Sequence, residues 1–313
     1  MNWAPNPVAA RAARRSEGSA GQPWAGQLRT ATGSWPPRER WRGPGSAVVP
    51  PGVRPVTAAV SVGGAALIWL ALLGPVITLL THLSWHSIVS ALSYPGALDP
   101  LVTSVEAGGV TLAVLLCVCT PLAWMLARGR LPFQRVWEAG VLCSLLLPPL
   151  VIGLLLVFMV GPYTAIGGLL GHLNLSATNT FLALVIAEVY ESAPYYVVGA
   201  QAAFSAVDPR LEQQAELLGD RPRRVFRRVT LPLASPGLAM AMAVAWARAM
   251  GAFGAVIIIA YHPYGLPLQI YTTLEQTGLP TALPYALVLL VVALPLPLAA
   301  YIWSARAQGR RRG

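Results

Sequence analysis

The chain reads as an all-α integral membrane protein, with six transmembrane helices and one polar, helical loop between the fourth and the fifth. Three observations predict this. First, 55% of the 313 residues are hydrophobic and only 11% are charged, with a mean hydropathy of +0.58, which is more apolar surface than one soluble core can hide. Second, the apolar residues gather into six runs close to the roughly 20 residues that cross a bilayer. Third, the arginines avoid three of the connections between those runs altogether.

Residues 1–55 are rich in Pro, Gly, Ser, Arg and Trp and contain no apolar stretch. That composition predicts disorder, and it lacks the apolar core of a cleavable signal. It is either a basic tail attracted to anionic lipid or the product of a start codon assigned too far upstream. The transmembrane domain follows over 56–304, with spans expected at 58–81, 102–127, 137–160, 180–204, 233–260 and 284–304. A basic tail, 305–313, ends the chain.

Arg11 to Arg54 precede the first span, Arg128, Arg130 and Arg135 follow the second, Arg210 to Arg228 follow the fourth, and Arg306 to Arg312 follow the sixth. The connections 82–101, 161–179 and 261–283 contain none. Basic residues are retained on the cytoplasmic side, so both termini and the loop 205–232 are expected there.

A formal charge of +10 and a pI near 10.2 would suit a nucleic-acid binder, but the spans leave the basic segments little freedom to enter a groove. All 22 basic residues are arginine. The missing lysine excludes a Walker A phosphate loop and any Schiff-base mechanism. No cofactor is therefore expected in this chain, and ATP with its Mg would be bound by a partner ATPase. Cys117, Cys119 and Cys143 fall in apolar runs without metal or redox spacing, and His82, His86, His172 and His262 are scattered. No metal is assigned.

The polar loop carries the most information. Asp208 before Pro209 has the form of an N-cap followed by Pro at the first helical position, and Gly219 closes that helix. Pro222 then opens a second short helix. Leu211, Ala215 and Leu218 share a face of the first, and Val225, Phe226 and Val229 form a stripe on the second beside Arg221, Arg223, Arg224, Arg227 and Arg228. Such a pair suits either a groove on a partner protein or the surface of anionic lipid.

The loop resembles the cytoplasmic motif of permease subunits of binding-protein-dependent ABC importers: Glu-Ala-Ala, three residues, Gly, nine residues, a hydrophobe, one residue, Leu-Pro. Gln213, Gln214 and Ala215 take the first places, Gly219 the glycine, Val229 the hydrophobe, and Leu231 with Pro232 the ending, while Glu212 lies one place early. The resemblance implies a type I ABC importer permease fold in which this loop docks in a groove of the ATPase. It also implies a homodimer of permeases, two cytoplasmic ATPase subunits and an extracytoplasmic substrate-binding protein.

Further residues are similar to molybdate and tungstate permeases in particular. Pro148, Pro149 and Gly153 match a Pro-Pro, three residues, Gly pattern, and Ala247, Arg248, Phe253, Gly254, Ala255, Pro263, Ile270 and Tyr271 match the fifth span and its outer loop. Ala252 stands where those relatives carry glutamate. The resemblance implies import of an oxyanion, most simply molybdate or tungstate. Permeases for sulfate, phosphate, thiamine or iron share the coupling motif. In a different class, an ion-coupled secondary carrier would need membrane carboxylates such as Glu188 and Glu191.

Arg248 stands out without any resemblance, because an arginine in mid-span costs roughly 2.5–3.5 kcal/mol on insertion scales and is functional by default. It either lines the pathway or gate, where its forked donors suit an oxyanion, or pairs with Glu188 or Glu191, which lie three apart on one face, or snorkels to an interface. Pro148, Pro149, Phe253 and Gly254 are the other pathway candidates. Pro148, Pro149 and Pro194 should each disturb the helix that holds them, and they either line the translocation path or set a fixed kink for packing.

Overall fold

The computed structural model describes residues 55–312 except 94 and 174; the tail expected before the first span lies, but for Pro55, outside them. Contacts divide the chain at Ile68. The described part of the first unit is the opening of α1 (Pro55–His82), an uninterrupted apolar helix. The remainder of the fold concerns the second unit, Trp69–Gly313.

In chain order the elements are α2 (Trp85–Leu92), α3 (Asp99–Ala127), α4 (Gln134–Leu146), α5 (Pro149–Val160), α6 (Ala165–His172) and α7 (Phe181–Ser205). There follow α8 (Pro209–Leu217), α9 (Pro222–Met250), α10 (Val256–Ile259), α11 (Leu266–Thr277), α12 (Leu279–Ala293) and α13 (Pro295–Arg312). All regular structure among the described residues is helical. Five helical stretches are long and apolar enough to cross a membrane, and six if α4 and α5 count as one bent span.

Three expectations need correction. The third run is not one straight helix: α4 and α5 meet at 117°, because Leu147 and Pro148 are extended where Pro148 can donate no helical hydrogen bond. The fifth run does not continue to residue 260: α9 stops at Met250, and α10 begins only at Val256. Its beginning also lies earlier, because the second short helix of the polar loop is the first part of α9, joined through a π-helical turn at Phe226–Thr230. A proline at the start of a helix and one near its later turns look alike to a reader of caps. Pro194, by contrast, sits inside an unbroken α7.

Both buried clusters are built on α7. Its first half packs with Ile152 and Leu156 of α5 and with Val256 and Ile259 of α10, while its second half packs Tyr196, Val197 and Phe204 against Leu115 and Leu126 of α3 and Leu238 of α9. Small residues bring α7 and α9 close: a Cβ on Gly199 would lie 2.8 Å from that of Ala241, and one on Gly237 would lie 2.6 Å from that of Ala203. Without a hydrophobic force between helices in lipid, such backbone approach is how spans gain contact. Thr120 and Tyr196 share a hydrogen bond at 2.7 Å across the α3–α7 seam.

Candidate functional site

The polar loop is built by local signals. Asp208 accepts the backbone N–H of Arg210 at 2.9 Å, and Pro209 takes the first turn of α8. The helix ends in a Schellman pair, with Asp220 N–H on the Ala215 carbonyl at 3.1 Å and Gly219 N–H on that of Glu216 at 3.0 Å. Gly219 has φ +92°, a conformation that a side chain makes costly. Leu217 and Leu218 are 87% and 89% exposed, and Leu211, Gln213 and Gln214 are exposed beside them. The apolar face of α8 therefore has no partner within the described chain.

The stripe at the start of α9 behaves differently. Val225 is buried, and Phe226 sets its ring 5.4 Å from Trp124 and 6.1 Å from Phe204. Val229 is half-buried, whereas Leu231 and Pro232 are exposed on α9. Arg221, Arg223, Arg224, Arg227 and Arg228 line a cleft of about 590 Å³.

Glu212 is the one buried residue of α8. It faces inward. Arg128, at the end of α3, grips its carboxylate with both arms, Nη2 to Oε1 at 2.6 Å and Nε to Oε2 at 3.0 Å. The Thr230 hydroxyl donates to the same Oε1 at 2.6 Å. The motif resemblance grouped Glu212 with the ATPase-docking residues Gln213, Gln214 and Ala215 and gave no sign of Arg128 and Thr230; one place out of register turns a helical side chain by about 100°, which was the available signal.

The second site lies where α9 breaks. Pro148, Pro149, Leu150, Glu191, Arg248, Gly251, Phe253 and Gly254 surround a cavity of about 360 Å³. Whereas Pro194 is not among the lining residues, the structure here brings together Pro148, Pro149, Arg248, Phe253 and Gly254 of the candidates named from sequence. It also selects between the two carboxylates: Glu191 Oε2 lies 3.5 Å from Arg248 Nη2, and its Oε1 accepts the backbone N–H of Ala255 at 3.0 Å. Glu188 instead accepts from Thr111 at 3.0 Å. The Arg248 side chain stays 32% exposed, its Nε is buried without a partner, and its guanidinium carbon lies 5.2 Å from the Tyr195 ring centroid.

Backbone closeness holds this cavity together. A Cβ on Gly254 would meet that of Pro149 at 2.5 Å, and one on Gly153 would meet that of Ile258 at 2.8 Å. The Pro-Pro-x-x-x-Gly pattern is thus the bed on which the segment after α9 lies. Phe253 packs against Tyr271 at 5.1 Å. Ala252 is buried at 3% exposure.

Residues 119–312 match the family described as the binding-protein-dependent transport system inner membrane component. The chain belongs to this family. It is 39% identical over 196 residues, 63% of this chain and 71% of the other, to a probable molybdenum ABC transporter permease protein of Haloferax volcanii. A molybdenum transport system permease protein of Mycobacterium tuberculosis is 31% identical over 223 residues, covering 70% of this chain and 84% of that one. A molybdate/tungstate transport system permease protein of Thermococcus kodakarensis is 28% identical over 207 residues, covering 66% and 78%. In fold, a chain of a bacterial alginate ABC transporter crystallised with its periplasmic protein superimposes with a TM-score of 0.63 over 80% of this chain and 94% of that one, at 17% identity. The fold is that of an ABC importer permease, a multi-pass membrane subunit.

Proposed function

We propose that this permease passes a tetrahedral oxyanion, molybdate or tungstate, through the cytoplasmic membrane as a homodimer, with both termini on the cytoplasmic side. Two separate ATPase subunits bind ATP and Mg and dock on α8, and an extracytoplasmic binding protein delivers the anion. The observation that carries the reading is Arg248. The sequence placed it in mid-span; because the helix stops at Met250 it is instead a guanidinium in the last turn of α9, with a buried Nε lacking a partner, set in a cavity where one end of its carboxylate neighbour is already engaged by the Ala255 backbone. Forked donors of this kind suit an oxyanion, and the named relatives support the choice of molybdate and tungstate.

Arg248 and Glu191 hold the break after α9 from two sides. An anion entering the cavity would compete with Glu191 for the guanidinium, and Phe253 and Gly254 sit at that contact. The coupling role falls to Gln213, Gln214, Ala215 and Gly219 on the free side of α8, with Val229, Leu231 and Pro232 carrying the motif into α9. Glu212 belongs to the same loop but faces the bundle.

The test is uptake into proteoliposomes holding the permease, its ATPase subunits and its binding protein. Molybdate or tungstate is expected to enter with ATP and to be outcompeted poorly by sulfate. Uptake driven by a proton or sodium gradient without ATP would overturn the reading in favour of an ion-coupled carrier.

A further inference from the structure

We infer that Glu212 is a positioning residue: through it the ATPase-docking helix grips two membrane spans at once, and movement of α8 is delivered to both. This rests on the coupling role proposed for α8. The physical case begins with what α8 does not do. Its leucines face outward, and its one buried side chain is Glu212. The helix therefore holds the bundle through a carboxylate, at a place where the chain could have used apolar packing.

That carboxylate reaches far in the sequence. Arg128 is 84 residues away at the end of α3, and Thr230 is 18 residues away within α9. Three donors converge on two oxygens. Two come as a guanidinium fork, which fixes direction as well as distance. The side chains of Arg128 and Glu212 are only 7% and 11% exposed, so water cannot readily substitute for either partner when the other moves away. A displacement of α8 must then carry both partners along or leave a buried charge unpaired.

Each gripped span also has a yielding place. α3 contains a π-helical turn at Leu115–Cys119, and α9 contains one at Phe226–Thr230, the latter ending on the clasped threonine. Such turns are rare, interrupt the regular ladder and concentrate at functional sites. The clasped end of α3, Thr120–Ala127, is thus set off from the rest of its span by a turn that can bend, and in α9 the clasp holds the end of the turn itself. The arrangement differs from a fold staple, which would need neither two spans nor a yielding turn in each.

The experiment uses the assembled importer in nanodiscs, with Cys117, Cys119 and Cys143 replaced, and spin labels placed at Leu217 on α8 or at Arg130 beyond α3. Distances between the two permeases are read with and without ATP and vanadate. In the wild-type assembly both labels should shift. With Glu212→Gln the Leu217 shift should remain while the Arg130 shift falls by about half or more, because the contiguous contact that transmits it is gone; the Arg128→Glu, Glu212→Arg exchange should restore it.

An undiminished Arg130 shift in Glu212→Gln overturns the clasp alone. A still Leu217 label in the wild-type assembly overturns the coupling role of α8, and the clasp with it. If Glu212→Gln does not assemble, Arg128→Gln with Glu212→Gln leaves no buried charge unpaired and carries the same measurement. A full Arg130 shift in that pair overturns the proposal, and a reduced one supports it.

Discussion

Two arginine–glutamate contacts of the same chemistry are built to opposite ends. Between Arg128 and Glu212 the approach is 2.6 Å, the fork is complete, and the side chains are 7% and 11% exposed. Between Arg248 and Glu191 it is 3.5 Å, the arginine is 32% exposed, and its Nε has no partner. One contact closes a bidentate fork on its carboxylate, with the Thr230 hydroxyl added, and holds. The other keeps donors in reserve beside a cavity, which is what a site for a passing anion requires.

The comparison breaks first at Arg128. Replacing it with Ala should cost about 3–5 kcal/mol, since it strands a buried carboxylate, and thermal unfolding of the solubilised permease would read this; a loss below about 1 kcal/mol would reduce the clasp to a surface pair. Gly254→Val attacks the other site through its backbone. The new side chain meets Pro149 well inside contact distance, so a loss of about 1–3 kcal/mol is expected, and unchanged stability would show that the segment after α9 does not lie on Pro149. Arg248→Gln sharpens the contrast: its partner Glu191 is only 1% exposed, so a stability cost of about 1–2 kcal/mol is expected, less than at Arg128 because the pair is 3.5 Å apart and Glu191 keeps the Ala255 N–H, while anion uptake in proteoliposomes should be strongly impaired. Wild-type uptake in that variant would remove Arg248 from the pathway. The smallest effect belongs to the exposed pair of Arg224 and Asp220, 3.0 Å apart at i,i+4. Asp220→Asn should shift stability by no more than about 0.5 kcal/mol, which calibrates the other three.

What could be seen in the sequence was what is encoded locally. Asp208, Pro209 and Gly219 announced α8 because caps act over a few residues, and the long apolar runs marked the spans because charge is costly in lipid. The break after Met250 was hidden, since apolar residues after it look the same to hydropathy whether the chain runs straight or folds back on Pro149. The choice of Glu191 over Glu188 was hidden too: both share a face of α7, and only the position of Ala255 distinguishes them. The partner of Glu212 needed a contact across 84 residues. Sequence registers that Glu212 is displaced from the expected motif, but not what the displacement is for.

The glycine and alanine seam between α7 and α9 has a consequence for how force travels. Where Gly199 meets Ala241 and Gly237 meets Ala203, no flexible side chain stands between the two backbones to change rotamer and take up slack. The helices mesh like gears without backlash. A small turn of α9 is passed to α7 along this seam, and Glu191 rides on α7, so the carboxylate facing Arg248 sits on the neighbour of the span that Thr230 ties to Glu212.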